Sequence, residues 1–191
     1  MKHEATIDYQ KKIITIPNLL SLFRLLLIPV LVWLYFGKRD LVLTTVVLVL
    51  SGITDLVDGW VARRFNMVSD LGKMLDPVAD KLTQIAMLAC LVDRFHLMLI
   101  PLVILVIKEI FAAITGIMTI QKTKVVLGAD WHGKMTTAAL YSMMILHLIW
   151  FNIPSVVSNV IIALCVVIML LSFVLYAIRN IRLIRQGSQH A

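Results

Sequence analysis

The sequence predicts an all-α, polytopic integral membrane protein whose six transmembrane helices surround a polar cavity facing the cytoplasm. Three observations predict this class: 60% of the 191 residues are hydrophobic, the apolar residues form long runs, and four carboxylates interrupt those runs. Mean hydropathy is +0.93, so little of the chain remains for a soluble part. We therefore expect one membrane domain over residues 1–191, with a cytoplasmic N-terminal segment at 1–15 and a flexible tail at 186–191.

The helices follow from the lengths of the apolar runs. A helix needs about 20 apolar residues to cross the hydrocarbon core. Runs of roughly that length fall at about 16–36, 40–63, 71–92, 97–120, 133–152 and 155–178. The first run has no small-residue cleavage site after a short apolar core, so it is predicted to be a retained helix rather than a signal peptide.

The orientation follows from the basic residues, which concentrate in cytoplasmic loops. With six helices, one side carries both termini and the residues Lys2, Lys11, Lys12, Arg63, Arg64, Lys122, Lys124, Arg179, Arg182 and Arg185. The opposite loops carry Lys38, Arg39 and Arg94. We therefore predict a multi-pass protein of the cell membrane in which both termini and the segment with the four carboxylates face the cytoplasm. The net charge of +7 suits contact with anionic lipid, whereas scattered basic residues argue against nucleic acid as a partner.

The four carboxylates are Asp55, Asp58, Asp76 and Asp80. A charge at membrane depth costs about 2.5 to 3.5 kcal/mol on insertion scales, so the group requires a compensating partner. Residues three or four apart share a helix face. If the chain turns near residues 65–70, the two pairs lie at similar depths, roughly 10 to 15 Å from the turn.

An antiparallel hairpin would therefore gather the four side chains, and a metal would relieve their repulsion. Oxygen ligands suit Mg²⁺ first and Mn²⁺ next, and four carboxylates suit two ions better than one. Acidic residues inside a membrane also fit a divalent-cation transporter. However, the last two predicted helices contain no acidic residue to continue such a path.

The residues around the aspartates form the pattern D-x-x-D-G-x-x-A-R-x8-G-x-x-x-D-x-x-x-D between Asp55 and Asp80. This pattern resembles the signature of the CDP-alcohol phosphotransferase family at each of its eight defined positions. The resemblance implies an enzyme that transfers a phosphate-linked group from a CDP-activated donor to an alcohol and releases CMP. It implies two bound Mg²⁺ or Mn²⁺ ions, and we predict no organic cofactor.

The resemblance also implies roles for individual residues. Asp55, Asp58, Asp76 and Asp80 would hold the two metal ions, and Asp80 would also deprotonate the acceptor hydroxyl. The CDP-donor site would include Asp58, Gly59, Ala62, Arg63 and Gly72. Small residues let a nucleotide approach the helix backbone, and arginine suits phosphate oxygens.

The start of the first helix resembles the phosphatidylglycerophosphate synthase branch of this family and the related cardiolipin synthases. The segment runs from Ile16 to Arg24, and its residues Asn18, Ser21 and Arg24 share one face. The resemblance places that face at the donor's nucleotide and phosphate. The alternative is that Arg24 extends toward the membrane surface while the other two residues only pack between helices.

The sequence constrains the identity of the acceptor less than that of the donor. By resemblance, Lys108 and Lys134 would bind it, with Lys81 as a further source of charge. The branch usually carries additional cations at the positions of Gly116 and Thr136. We expect transfer from CDP-diacylglycerol to glycerol 3-phosphate, with phosphatidylglycerol as the alternative acceptor and cardiolipin as its product. Lys108 and Glu109 also fit a purely structural ion pair, and the resemblance suggests a homodimer.

Overall fold

The computed structural model describes residues 16–64, 70–123, 131–150 and 152–187, and within these ranges it contains helices and no strand. The α-helices are α1 Ile16–Trp33, α2 Leu41–Arg64, α3 Asp70–Val92, α4 Leu99–Thr123, α5 Trp131–Ile149 and α6 Ser155–Gly187. The predicted all-α class is confirmed. The N-terminal segment 1–15 and residues 188–191 of the predicted tail lie outside the described residues, and α6 includes residues 186 and 187.

The helices belong to two compact units, residues 1–83 and residues 84–191. In the first unit α1 packs against α2. In the second unit α6 packs against both α4 and α5. Helix α3 crosses the division, so its acidic N-terminal half belongs with α1 and α2.

The junction between α1 and α2 has a defined geometry. A π-helical turn, Leu34–Lys38, continues α1 and ends at Arg39. Arg39 has a left-handed backbone (φ 51°), and its N–H bonds to the Leu34 carbonyl, which is a common way to terminate a helix. Asp40 then accepts a hydrogen bond from the Leu43 N–H through Oδ1 at 2.9 Å. This bond caps the start of α2.

Helix α1 buries its polar face and exposes its apolar face. Asn18, Ser21 and Arg24 are buried, whereas Leu19 and Leu26 are each 61% exposed. A helix in water would place these groups the other way round. The arrangement therefore indicates that the outer face of α1 is solvated by hydrocarbon and its inner face contacts polar groups of the protein.

Three segments of the described residues are long and apolar enough to cross a membrane: Asn18–Lys38, His96–Gly116 and Ser155–Arg182. A shorter apolar helix covers Leu41–Asp55. The chain is thus a membrane protein with three spans identified by length and composition, and the prediction of six spans is not established by this criterion.

Buried polar contacts join helices in the second unit. The His147 Nδ1 donates to the Met143 carbonyl at 2.8 Å, since a carbonyl oxygen only accepts. The neutral ring then accepts at Nε2 from Ser158 Oγ at 2.9 Å, which joins α5 to α6. In the same unit Asn180 Nδ2 donates to Thr115 Oγ1 at 2.9 Å, which joins α6 to α4.

The bond between Asn180 and Thr115 can be tested with Thr115→Val. The Thr115 hydroxyl accepts from Asn180 of α6 and donates to the Phe111 carbonyl of its own helix at 2.8 Å, so valine removes both of these bonds, one of which joins α6 to α4. Interhelical bonds of this kind contribute about 0.6 to 1.7 kcal/mol, so we expect Tm in detergent to fall by about 2 to 6 °C.

The matched control is Thr45→Val. The Thr45 hydroxyl donates to the Leu41 carbonyl of its own helix at 2.7 Å, so this change removes an intrahelical bond alone. We expect a smaller shift in Tm by scanning fluorimetry. Equal shifts for the two variants would show that the contact with Asn180 contributes nothing.

Candidate active site

The candidate site is built around Arg24, at the end of the buried polar face of α1. Asn18 is 7% exposed, Ser21 1% and Arg24 0%. Their spacing of three residues places them on one side of the helix, as the sequence predicts. An arginine cannot be neutralised at ordinary pH, so its complete burial requires anionic partners.

Those partners are two of the four predicted metal-binding carboxylates. Arg24 Nη1 donates to Asp55 Oδ1 of α2, and Arg24 Nη2 donates to Asp76 Oδ1 of α3 at 3.1 Å. One guanidinium therefore links α1 to both helices that carry the aspartate pattern. Because Arg24 is completely buried, replacing its aspartate partners with neutral residues would leave a buried charge without compensation and destabilise the first unit.

Each of these carboxylates accepts a hydrogen bond from Arg24 through one of its two oxygens. The side chains of Asp55 and Asp76 remain 31% and 38% exposed. Among the contacts of the described residues, neither Oδ2 atom accepts a hydrogen bond or joins an ion pair. Both carboxylates therefore retain an oxygen that a hard cation could use.

Asp80 lies near the same cluster. Asp80 is 8% exposed, and its Oδ2 lies 3.5 Å from Lys81 Nζ. The charges of Asp76 and Asp80 both act on Asp55, so two of the other predicted ligands lie within electrostatic range of Asp55. Arg24 and Lys81 offset part of the resulting repulsion.

The metal site itself stays a prediction. The described side chains contain no ready-made group of three or more His, Cys, Asp or Glu residues around a common point. Asp58 belongs to α2, but its side chain is outside the described part, as are the surroundings of Gly59, Ala62, Arg63 and Gly72. The donor set that is described, with oxygens from Asp55, Asp76 and Asp80, fits Mg²⁺ or Mn²⁺.

The predicted acceptor residues have different environments. Lys108 is 8% exposed within α4, whereas Lys134 is exposed on α5. Lys108 and Glu109 are consecutive in a helix and project in different directions, and each has an interaction partner. No described contact joins Lys108 to Lys134, so their shared role remains a prediction.

Gly116 and Thr136 are the two positions at which the chain departs from the pattern of the phosphatidylglycerophosphate synthase branch. A Cβ added at Gly116 would meet nothing within 4 Å, so this position of α4 has space beside it. Thr136 is 1% exposed. The described structure thus places no cation at either position.

The contacts of Arg24 with Asp55 and Asp76 are the site feature that sequence reasoning missed. Arg24 was predicted to bind the donor phosphate, and the carboxylates to be compensated by metal. A signal was present, because an arginine and four aspartates inside apolar segments all need partners of opposite charge. The sequence separations of 31 and 52 residues left the pairing undetermined.

Comparison with known proteins gives the same assignment as the aspartate pattern. The family model described as CDP-alcohol phosphatidyltransferase matches residues 14–179. That range contains Arg24 and the four aspartates. It also covers α1 to α5 and most of α6.

Several curated relatives carry phosphatidyltransferase names. A CDP-diacylglycerol–glycerol-3-phosphate 3-phosphatidyltransferase of Aquifex aeolicus (strain VF5) is 33% identical over 176 residues, 88% of this chain and 97% of the relative. A protein of the same name from Haemophilus influenzae (strain ATCC 51907 / DSM 11121 / KW20 / Rd) is 33% identical over 129 residues, 65% of this chain and 70% of the relative.

A cardiolipin synthase (CMP-forming) of Streptomyces coelicolor (strain ATCC BAA-471 / A3(2) / M145) is 38% identical over 113 residues, 56% of this chain. That match spans 53% of the relative, about half its length. The predicted resemblance is confirmed by a family match that includes the aspartate pattern and the helices carrying it. The chain belongs to the CDP-alcohol phosphatidyltransferase family.

Proposed function

We propose that this protein transfers a phosphatidyl group from CDP-diacylglycerol to glycerol 3-phosphate, giving phosphatidylglycerophosphate and CMP with the help of two divalent ions. The observation that carries the choice of acceptor is the match to the Aquifex phosphatidyltransferase, which extends over 97% of that relative. Similarity over nearly the whole length includes the acceptor side of the fold, which the aspartate pattern alone does not.

The proposed architecture has six spans. Helices α2, α3 and α5 would cross the membrane together with the three apolar spans, and both termini would be cytoplasmic. The basic residues at the cytoplasmic helix ends would then lie beside anionic lipid. The lipid donor would enter laterally from the inner leaflet, and the family resemblance favours a homodimer.

The proposed metal ligands are Asp55, Asp58, Asp76 and Asp80. Bound Mg²⁺ or Mn²⁺ would offset charge on the donor diphosphate and on the departing CMP. Gly59, Ala62 and Gly72 would let the cytidine approach the helix backbones, with Arg63 on a phosphate. Asn18 and Ser21, buried on α1, would supply hydrogen bonds at the edge of the donor site.

The transfer would be a single displacement at phosphorus. The acceptor hydroxyl oxygen forms a bond to the phosphorus attached to diacylglycerol, and the bond from that phosphorus to the CMP oxygen breaks. Asp80 accepts the hydroxyl proton, provided that the hydroxyl comes within about 2.6 to 3.2 Å of the carboxylate. Lys81, Lys108 and Lys134 are the proposed sources of positive charge for the acceptor phosphate.

A second candidate is a cardiolipin synthase that uses phosphatidylglycerol as acceptor. Two observations favour it: the 38% identity to the Streptomyces cardiolipin synthase, and the absence of a cation at Gly116 and Thr136. Phosphatidylglycerol carries a singly charged phosphodiester and so needs less positive charge than glycerol 3-phosphate.

A divalent-cation transporter is the remote alternative. It would require acidic or other polar ligands along a path through the membrane. The sequences of α5 and α6 contain no Asp or Glu, and membership of a transferase family argues against transport.

Replacement of the proposed base tests the mechanism. Asp80→Asn removes the proton acceptor while preserving side-chain size, so we expect CMP release from CDP-diacylglycerol to fall about 100-fold or more. The control is Asp93→Asn, at an exposed residue after α3, which should retain wild-type rates. Wild-type activity in Asp80→Asn would exclude Asp80 as the base.

The acceptor can be assigned by mass spectrometry of the lipid product. Purified protein with CDP-diacylglycerol is given glycerol 3-phosphate and phosphatidylglycerol, separately and then together. We expect phosphatidylglycerophosphate to dominate in all reactions that contain glycerol 3-phosphate. Cardiolipin as the main product would favour the second candidate, and a metal-dependent ion flux without CMP release would favour transport.

Removal of divalent ions tests the proposed cofactors. Dialysis against EDTA should reduce CMP release to background, because the donor diphosphate would lose its counter-charge. Mg²⁺ or Mn²⁺ should each restore it, while equal ionic strength supplied as NaCl should not. Full activity after exhaustive chelation would contradict the two-ion mechanism.

A further inference from the structure

We propose that Arg24 is a positioning residue that fixes one oxygen of Asp55 and one oxygen of Asp76 so that the second oxygen of each faces a divalent cation. This inference rests on the proposed function, since it takes both aspartates to be metal ligands. It assigns Arg24 a role different from the donor-phosphate contact that the sequence predicts.

The geometry that supports the proposal is that the two terminal nitrogens of the Arg24 guanidinium contact carboxylates on two different helices. Nη1 bonds to Asp55 of α2, and Nη2 bonds to Asp76 of α3. Because a guanidinium is planar and rigid, these two bonds also set the relative position and orientation of the two carboxylates. A ligand pair contributed by two helices gains most from such a connection.

Burial supports the same assignment. The Arg24 side chain is 0% exposed, whereas Asp55 and Asp76 are 31% and 38% exposed. The arginine thus lies on the protein side of the carboxylates, and the carboxylates retain an accessible side. A residue that mainly bound the donor phosphate would be expected to keep part of its own guanidinium accessible.

The charges are also consistent. With metal bound, four carboxylate charges and Arg24 would together contribute three negative charges, and the two divalent ions would convert this to one positive charge. With the predicted contribution of Arg63, the site would carry about the charge needed to balance the diphosphate of a CDP-linked donor. Arg24 therefore leaves the site attractive to both cations and donor.

The variant that separates position from charge is Arg24→Lys. Lysine keeps the positive charge but offers a single ammonium, which does not reproduce the two-pronged planar contact. Loss of a group that orients metal ligands typically lowers affinity about 10- to 100-fold. We therefore expect the Kd for Mn²⁺ to rise by about that factor.

Mn²⁺ binding is measured by electron paramagnetic resonance on the purified full-length chain in detergent, with Mn²⁺ alone and no donor. Arg94→Lys is the matched control, because Arg94 is exposed and follows α3. Its Kd for Mn²⁺ should equal that of the wild type. In activity assays, Arg24→Lys should require about 10- to 100-fold more Mn²⁺ for half-maximal CMP release, whereas a purely structural defect would lower activity at every Mn²⁺ concentration alike.

The outcomes distinguish this inference from the proposed function. An unchanged Kd for Mn²⁺ in Arg24→Lys, with a raised KM for CDP-diacylglycerol, would overturn the positioning role and return Arg24 to the donor phosphate. It would leave the transferase intact. Failure of the wild type to bind Mn²⁺ would instead overturn both the two-ion mechanism and this inference.

A second measurement uses the wild type and does not depend on the variant folding. In protein with ¹⁵N-labelled arginine, the buried Arg24 guanidinium should give N–H signals in NMR spectra that exchange slowly with water. We expect those signals to persist when Mg²⁺ is added, because the arginine and the cation would use different carboxylate oxygens. Loss of protection on Mg²⁺ addition would mean that the cation displaces Arg24, and would overturn the proposal.

Discussion

The ion pairs of Arg24 with Asp55 and Asp76 are the contacts on which the first unit depends. A guanidinium in a membrane-spanning segment must have an anionic partner or reach the surface, and this one is completely buried. Its two carboxylates belong to α2 and α3, so one side chain connects three helices. The polar face of α1 and the acidic faces of its neighbours are therefore parts of one electrostatic arrangement.

The positions of most helices could be predicted from the lengths of the apolar runs, although the number of membrane spans could not. The second apolar run, predicted at about 40–63, is observed as Leu41–Arg64. The last run was predicted to end near residue 178, but α6 continues to Gly187. Hydropathy detects where the chain leaves the hydrocarbon, whereas a helix with basic residues such as Arg179 and Arg182 can continue into the polar region beyond it.

The site could be predicted only as far as local spacing reaches. The pattern from Asp55 to Asp80 lies within one stretch of sequence, so its spacing and its family resemblance both identify it. The pairing of Arg24 with that pattern depends on how α1 packs, which no periodicity within α1 encodes. The acceptor residues are harder for the same reason, since Lys108 and Lys134 lie on different helices and no spacing rule connects them.

The way in which Arg24 holds its partners has a consequence for ion selection. A carboxylate with one oxygen engaged by a guanidinium can offer a cation only the other, so Asp55 and Asp76 would each bind through a single atom. Calcium commonly takes six to eight oxygens and often both atoms of a carboxylate, while magnesium favours a compact octahedron of single contacts. The Arg24 side chain, which connects the three helices, would thus also disfavour calcium binding at this site.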